Sequence, residues 1–85
     1  MSKLEQEIID IIAEEGALDK SEIRVDSNLY DLGIDSLSSL EILVALEEKY
    51  DIRISQNRLK KINNIRDIIR VVSSQLKKKG TARTA

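Results

Sequence analysis

The chain contains no cysteine, no histidine, no tryptophan and no phenylalanine, and Tyr30 and Tyr50 are its only aromatic residues. Without cysteine there is no disulfide framework and no thiolate nucleophile, and without cysteine or histidine no plausible zinc ligand set remains. The histidine-assisted serine or cysteine relays that activate a nucleophile near neutral pH are also excluded, so the chain is not expected to be an enzyme. Two tyrosines are too few for a base-stacking platform, and no glycine-rich phosphate loop is present; no nucleic-acid partner is expected. No apolar run reaches transmembrane length, and the N-terminal MSKLEQEIIDIIAEE carries acids through the stretch that a signal peptide keeps apolar. These features predict a soluble cytoplasmic protein that does not insert into membranes. Its stability must come from aliphatic packing.

The length, 85 residues, fits one small domain. A formal net charge of −1 conceals a segregation: residues 1–50 hold 13 acids and 4 bases, net −9, whereas residues 51–85 hold 2 acids and 10 bases, net +8. Such a dipole either steers partners or draws the two halves of the fold together, and the sequence leaves both open.

Hydrophobic periodicity predicts an all-α, four-helix bundle. Leu4, Ile8 and Ile11, with Ile9 and Ile12 widening the stripe, define a first helix over about Lys3 to Glu14, with Gly16 as its stop. From Gly16 to Asp35 no period is sustained. Structureless connections of about twenty residues are uncommon in compact domains and are usually functional or disordered. The spaced aliphatics Leu18, Ile23, Val25, Leu29 and Leu32 argue for a loop anchored on the bundle. A second helix is predicted over Ser36 to Tyr50, capped by Asp35 or Ser36, and a short third near Gln56 to Lys61, capped by Ser55. The fourth begins near Ile65, capped by Asn63 or Asn64, with Ile65, Ile68, Ile69, Val72 and Leu76 at helical spacing. Residues 1–78 are read as one domain and 79–85 as a disordered basic tail without an apolar anchor.

The second helix carries the functional signal. On a wheel its apolar residues separate into two groups. Leu43, Leu46 and Tyr50, flanked by Ile42, form an ordinary core stripe. Leu37, Leu40 and Val44 form another, whose sector is shared by Glu41, Glu47 and Glu48. Buried unpaired carboxylates are costly, so this sector is either an exposed surface for a basic-rimmed partner or part of a wide arc packed against two neighbours. Ser36 stands at its head. A phosphate linked there would meet the positive end of the helix, and Asp-Ser before a helical run is also plain capping chemistry.

The stretch DLGIDSL, Asp31 to Leu37, followed by EILVALEEKYDI, resembles the acyl carrier protein family, and the similarity covers nearly the whole chain: opening helix, long loop, serine at the head of helix two, short helix, closing helix. The resemblance implies a 4′-phosphopantetheine arm, covalently attached to Ser36 and taken from coenzyme A by a separate phosphopantetheinyl transferase with magnesium, with Asp35 helping that enzyme engage. It further implies that Leu37, Leu40, Glu41, Val44, Glu47 and Glu48 form the recognition face for acyl-loading and acyl-processing enzymes. On this reading the protein is a monomeric, non-catalytic carrier of acyl intermediates, held as thioesters, in fatty acid, polyketide or related lipid biosynthesis. An aminoacyl or peptidyl carrier, or an unmodified helical interaction domain, are the alternatives.

The chain departs from the family in charge. Familiar members stay acidic into the short third helix, whereas Arg53, Arg58, Lys60 and Lys61 occupy that region here. A basic partner surface spanning both helices would meet like charge at one end, which points to a specialised carrier. Arg66, Arg70 and Lys77 on helix four read most simply as a solvated face.

Overall fold

The computed structural model describes residues 2–84. Its helices are α1 (Lys3–Gly16), α2 (Ser36–Tyr50), α3 (Gln56–Leu59) and α4 (Ile65–Thr84), with a 3-10 turn at Lys20–Glu22. Among the described residues there is no strand beyond an isolated bridge between Asn28 and Asn64. The all-α, four-helix expectation is met.

Local chemistry sets each helix end. Ser2 Oγ accepts the Glu5 N–H at 3.2 Å while Glu5 Oε1 accepts the Ser2 N–H at 3.1 Å, a reciprocal cap that starts α1. The predicted glycine stop is corrected: Gly16 is the last helical residue and Ala17 takes the left-handed position, φ 54°. The Leu18 N–H then closes on the Ala13 carbonyl at 2.8 Å, so orphan carbonyls are satisfied without glycine. Asp51, φ 53°, ends α2 in the same way. At α4, Asn64 Oδ1 accepts the Asp67 N–H and Asp67 Oδ2 accepts the N–H groups of Asn63 and Asn64. Asn64 is therefore the cap.

The core is aliphatic. Ile8 and Ile12 of α1, Ile42 and Leu46 of α2, and Ile65, Ile68 and Val72 of α4 are among its most completely buried side chains. Tyr50, at the margin, donates its hydroxyl to Glu7 Oε1 at 2.9 Å across the α1–α2 seam. Burial and the neighbouring carboxylate push that phenol up from its ordinary range.

The long connection before α2 is pinned at both levels. Ile23, Leu29 and Ile34 bury their side chains. Its carbonyls also serve α4, whose first N–H groups have no partner within the helix: Ile65 N–H donates to Ser27 O at 3.1 Å and Arg66 N–H to Val25 O at 2.7 Å. Leu29 N–H donates to Asn63 O at 3.0 Å. The loop that leads to Ser36 is thereby fixed against the α3–α4 turn.

The sequence expectation places the end of the domain at residue 78. The helix continues past it, and Lys79 Nζ donates to Tyr50 O, Asp51 O and Asp51 Oδ2 at 3.1–3.2 Å, neutralising the carbonyl end of α2. Residue 79 is thus anchored by its charge although it has no apolar anchor. Ala85, at the end of the predicted tail, lies outside the described residues.

Candidate functional site

Asp35 holds an extended backbone conformation and caps α2: its Oδ1 accepts the Ser38 N–H at 2.8 Å. That hydrogen bond holds the Asp35 carboxyl below its ordinary value of 3.8. The structure thereby separates two roles that the sequence leaves open between neighbours. Asp35 does the capping, and Ser36 is the first residue inside the helix, exposed, with no protein group bonded to its hydroxyl among the described residues.

The turn before it is shaped to deliver that hydroxyl. Asn28 Oδ1 accepts the Tyr30 N–H at 2.8 Å, Gly33 N–H donates to Tyr30 O, and Ile34 N–H returns to Leu29 O, each of the last two at 3.0 Å. Gly33 takes φ 79°, a region costly for residues with a Cβ. Ile34, directly after it, plunges into the core and anchors the corner.

Ser36 also lies on the wall of a cavity of about 350 Å³ between α2 and the α3–α4 turn. The buried Leu29, Ile34, Ile42, Leu43 and Ile68 form its floor, and the exposed Tyr30, Asp35, Ser36, Lys60 and Asn63 its rim. An apolar chamber with a polar mouth suits a ligand with an aliphatic body and a polar tether. The free hydroxyl at the mouth, the helix N-terminus beside it and the aliphatic interior together fit a covalently tethered phosphopantetheine group.

The second sector of α2 is exposed, which decides between the two readings of it. Leu37 is 65 % exposed, Leu40 51 % and Val44 50 %. Glu41 and Glu48 are exposed on the same side. Glu47 is not free: half-buried, its Oε2 accepts the Ile54 N–H at 2.9 Å, bracing the segment that leads to α3. Tyr30, 76 % exposed, stands on the corner ahead of Ser36 and extends the apolar rim. Sequence reading missed it, because no periodicity relates a loop residue to a helix face.

The basic residues divide similarly. Arg58 Nη1 donates to Ser74 Oγ at 3.3 Å, tying α3 to α4. Arg53, Lys60 and Lys61 are exposed. The Lys20–Asp10 ion pair lies within the acidic half, whereas Lys79, paired with Asp51, also reaches the Tyr50 carbonyl at the end of α2 and so ties the basic half to the acidic one. No helix among the described residues is long and apolar enough to cross a membrane.

Comparison with known proteins agrees with this geometry. The family described as "phosphopantetheine attachment site" matches residues 6–72. An acyl carrier protein of Phytoplasma mali (strain AT) is 33 % identical over 72 residues, covering 84 % of this chain and 86 % of that one. One from Clostridium acetobutylicum is 33 % identical over 70 residues, covering 81 % and 91 %. In fold, the chain is similar to the crystal structure of an acyl carrier protein from Thermotoga maritima, with TM-score 0.80, 24 % identity and 89 % of each chain covered. It is also similar to hexanoyl acyl carrier protein from the actinorhodin polyketide synthase of Streptomyces coelicolor, with TM-score 0.69, 23 % identity and 88 % and 87 % covered. With the family model spanning most of its length and its relatives matched nearly end to end, the chain belongs to the acyl carrier proteins, the phosphopantetheine-attachment family.

Proposed function

We propose that Ser36 is the attachment residue and that the exposed face of α2 is where the transferase and the acyl-processing enzymes dock. The observation that carries this reading is the division of labour at the head of α2: Asp35 is committed to the Ser38 N–H, and the Ser36 hydroxyl projects unbonded at the mouth of an apolar cavity. In the modification, Ser36 Oγ forms a bond to the phosphorus adjoining the pantetheine of coenzyme A. The pyrophosphate P–O bond breaks, adenosine 3′,5′-bisphosphate leaves, and the serine proton passes to a base on the transferase. The arm supplies a terminal thiol that holds acyl groups as thioesters, in a chain that has no cysteine of its own.

The protein itself is a carrier without catalytic residues, working in the cytoplasm and visiting its partners in turn. Leu37, Leu40, Glu41, Val44 and Glu48 make the docking surface, with Tyr30 at its edge and Glu47 acting from beneath as a brace. The exposed Arg53, Lys60 and Lys61 beyond α2 support service in a dedicated pathway, since an enzyme built for a uniformly acidic carrier meets like charge there. Affinity for a general ketosynthase is expected to fall below that of an acidic carrier; equal affinity defeats this specialisation.

Incubation with coenzyme A, magnesium and a broad-specificity phosphopantetheinyl transferase tests the attachment. Mass spectrometry is expected to show one phosphopantetheine added to the wild-type chain and none to Ser36→Ala. A wild-type chain left unaltered, or an equal gain on Ser36→Ala, overturns the assignment.

A further inference from the structure

The wall of the cavity at Ser36 carries two charged side chains, Asp35 and Lys60. They are not equivalent. Asp35 is engaged by the Ser38 N–H as the cap of α2, and its negative charge stands beside the serine. Lys60, just past α3, lines the same cavity and is exposed, and its ammonium has no hydrogen-bond or ion-pair partner among the described residues. Lys61, next in the chain, is equally exposed but does not line the cavity.

Resting on the assignment of the arm to Ser36, we propose that Lys60 is the anchoring residue for the arm's phosphodiester, binding it across the mouth of the α2–α3 cavity. A phosphodiester formed on Ser36 Oγ places a negative charge at the rim, next to the like charge of Asp35. The first turn of α2 offers partial positive charge, but Asp35 already offsets part of it. Lys60, on the lining of the same cavity, supplies the full compensating charge, and its flexible four-carbon stem gives the ammonium reach along the rim.

The consequence is directional. Pairing with Lys60 draws the start of the arm toward α3 and over the apolar chamber instead of outward along α2. Lys60 therefore favours the sheltered position of the arm, and an enzyme that takes up the arm must break this contact. Because the pair is solvent-exposed, it is weak and salt-sensitive, so release costs little.

The test uses the full chain converted to its phosphopantetheine-bearing form, as wild type, Lys60→Gln, Lys60→Arg and Lys61→Gln. Lys60 is exposed, so these substitutions leave the core intact. Conversion is first verified by mass, then the phosphodiester is observed by 31P NMR at about 0.02 M and about 0.5 M salt. The phosphorus resonance of Lys60→Gln is expected to differ from wild type by more than its line width at low salt and to coincide with it at high salt. Lys61→Gln should match wild type throughout, and Lys60→Arg should restore the wild-type behaviour. The Lys60 side-chain resonances of the wild type should also move on conversion, and those of Lys61 should not. A phosphorus resonance unchanged by Lys60→Gln, or changed equally by Lys61→Gln, overturns the proposal while leaving Ser36 as the attachment site. Failure of the wild-type chain to gain mass removes both.

Discussion

Glu47 Oε2 accepts the backbone N–H of Ile54 at 2.9 Å, fastening the last turn of α2 to the extended segment that leads into α3. Ile52 and Ile54 on that segment are buried, so the carboxylate holds in register a strip of chain whose side chains complete the core. Glu41 and Glu48, on the same helix, carry no such duty. Three acids that look alike on a helical wheel thus divide into one brace and two surface charges.

Substitution should separate them. Glu47→Ala removes the acceptor of a partly buried amide and is expected to cost about 1–3 kcal/mol in urea unfolding, with Glu47→Gln costing less because an acceptor oxygen remains. Glu41→Gln and Glu48→Gln should stay within about 0.5 kcal/mol of wild type. Their effect is expected in the salt dependence of transferase turnover, which should weaken with each lost charge. Equal stability for all four variants would deny Glu47 its bracing role.

The two apolar stripes of α2 predict opposite phenotypes. Leu46 is fully buried, and Leu46→Ala should lose about 2–5 kcal/mol, enough to unfold a large part of so small a domain. Leu37 is mostly exposed, so Leu37→Ala should leave the unfolding midpoint nearly unchanged while lowering the specificity constant of modification by about tenfold, the scale of an interface anchor. A normal modification rate for Leu37→Ala would remove that residue from the docking face.

The helices were legible because 3.6-residue periodicity and capping residues are local signals. Ile42, Leu43 and Leu46 against Leu37, Leu40 and Val44 could be sorted on a wheel, and Ser55 and the pair Asn63 and Asn64, of which the structure selects Asn64, announced helix starts. Whether the second stripe faced solvent or a further neighbour was not legible, since that depends on where the other helices lie. The cavity was hidden for the same reason: Ser36 and Lys60 share its wall only because Leu29 N–H closes on Asn63 O and brings the loop to the α3–α4 turn. No pattern in the sequence encodes that pairing. The contact of Lys79 with the carbonyls of Tyr50 and Asp51 lies beyond local pattern for the same reason, since it joins residues 28 and 29 positions apart.

Gly33 tests whether the corner before the serine must be held in shape. A Cβ at this position meets nothing within 4 Å, so Gly33→Ala is strained by its backbone alone, at φ 79°. A cost of about 1–2 kcal/mol is expected from the left-handed conformation. If the chain relieves the strain by shifting the corner, modification of Ser36 slows as well. Thermal unfolding and transferase kinetics on the same variant report the two effects, and an unchanged melting temperature would show that the corner needs no glycine.

The cap of α2 links acid stability to the site. Asp35 is held below its ordinary 3.8 by the Ser38 N–H, and Glu5 and Asp19 are lowered by hydrogen bonds from Ser2 and Ser21. A carboxyl whose value is depressed on folding contributes its stabilisation in full above the unfolded-state value. That contribution is lost as pH falls through the folded-state value, because the unfolded chain binds the proton more readily. The domain should therefore hold its stability from neutral pH down to about pH 5 and lose it progressively below about pH 4, as these caps protonate. Asp35→Asn keeps a capping oxygen and removes the titration, so its stability should fall less steeply with acid than that of wild type. Urea midpoints measured from neutral to strongly acidic pH give both slopes. Parallel slopes for wild type and Asp35→Asn would mean that the hydrogen bond to Ser38 does not distinguish the ionised cap from the neutral one, and that the first turn of α2 is held by the burial of Ile34 and Ile42 instead.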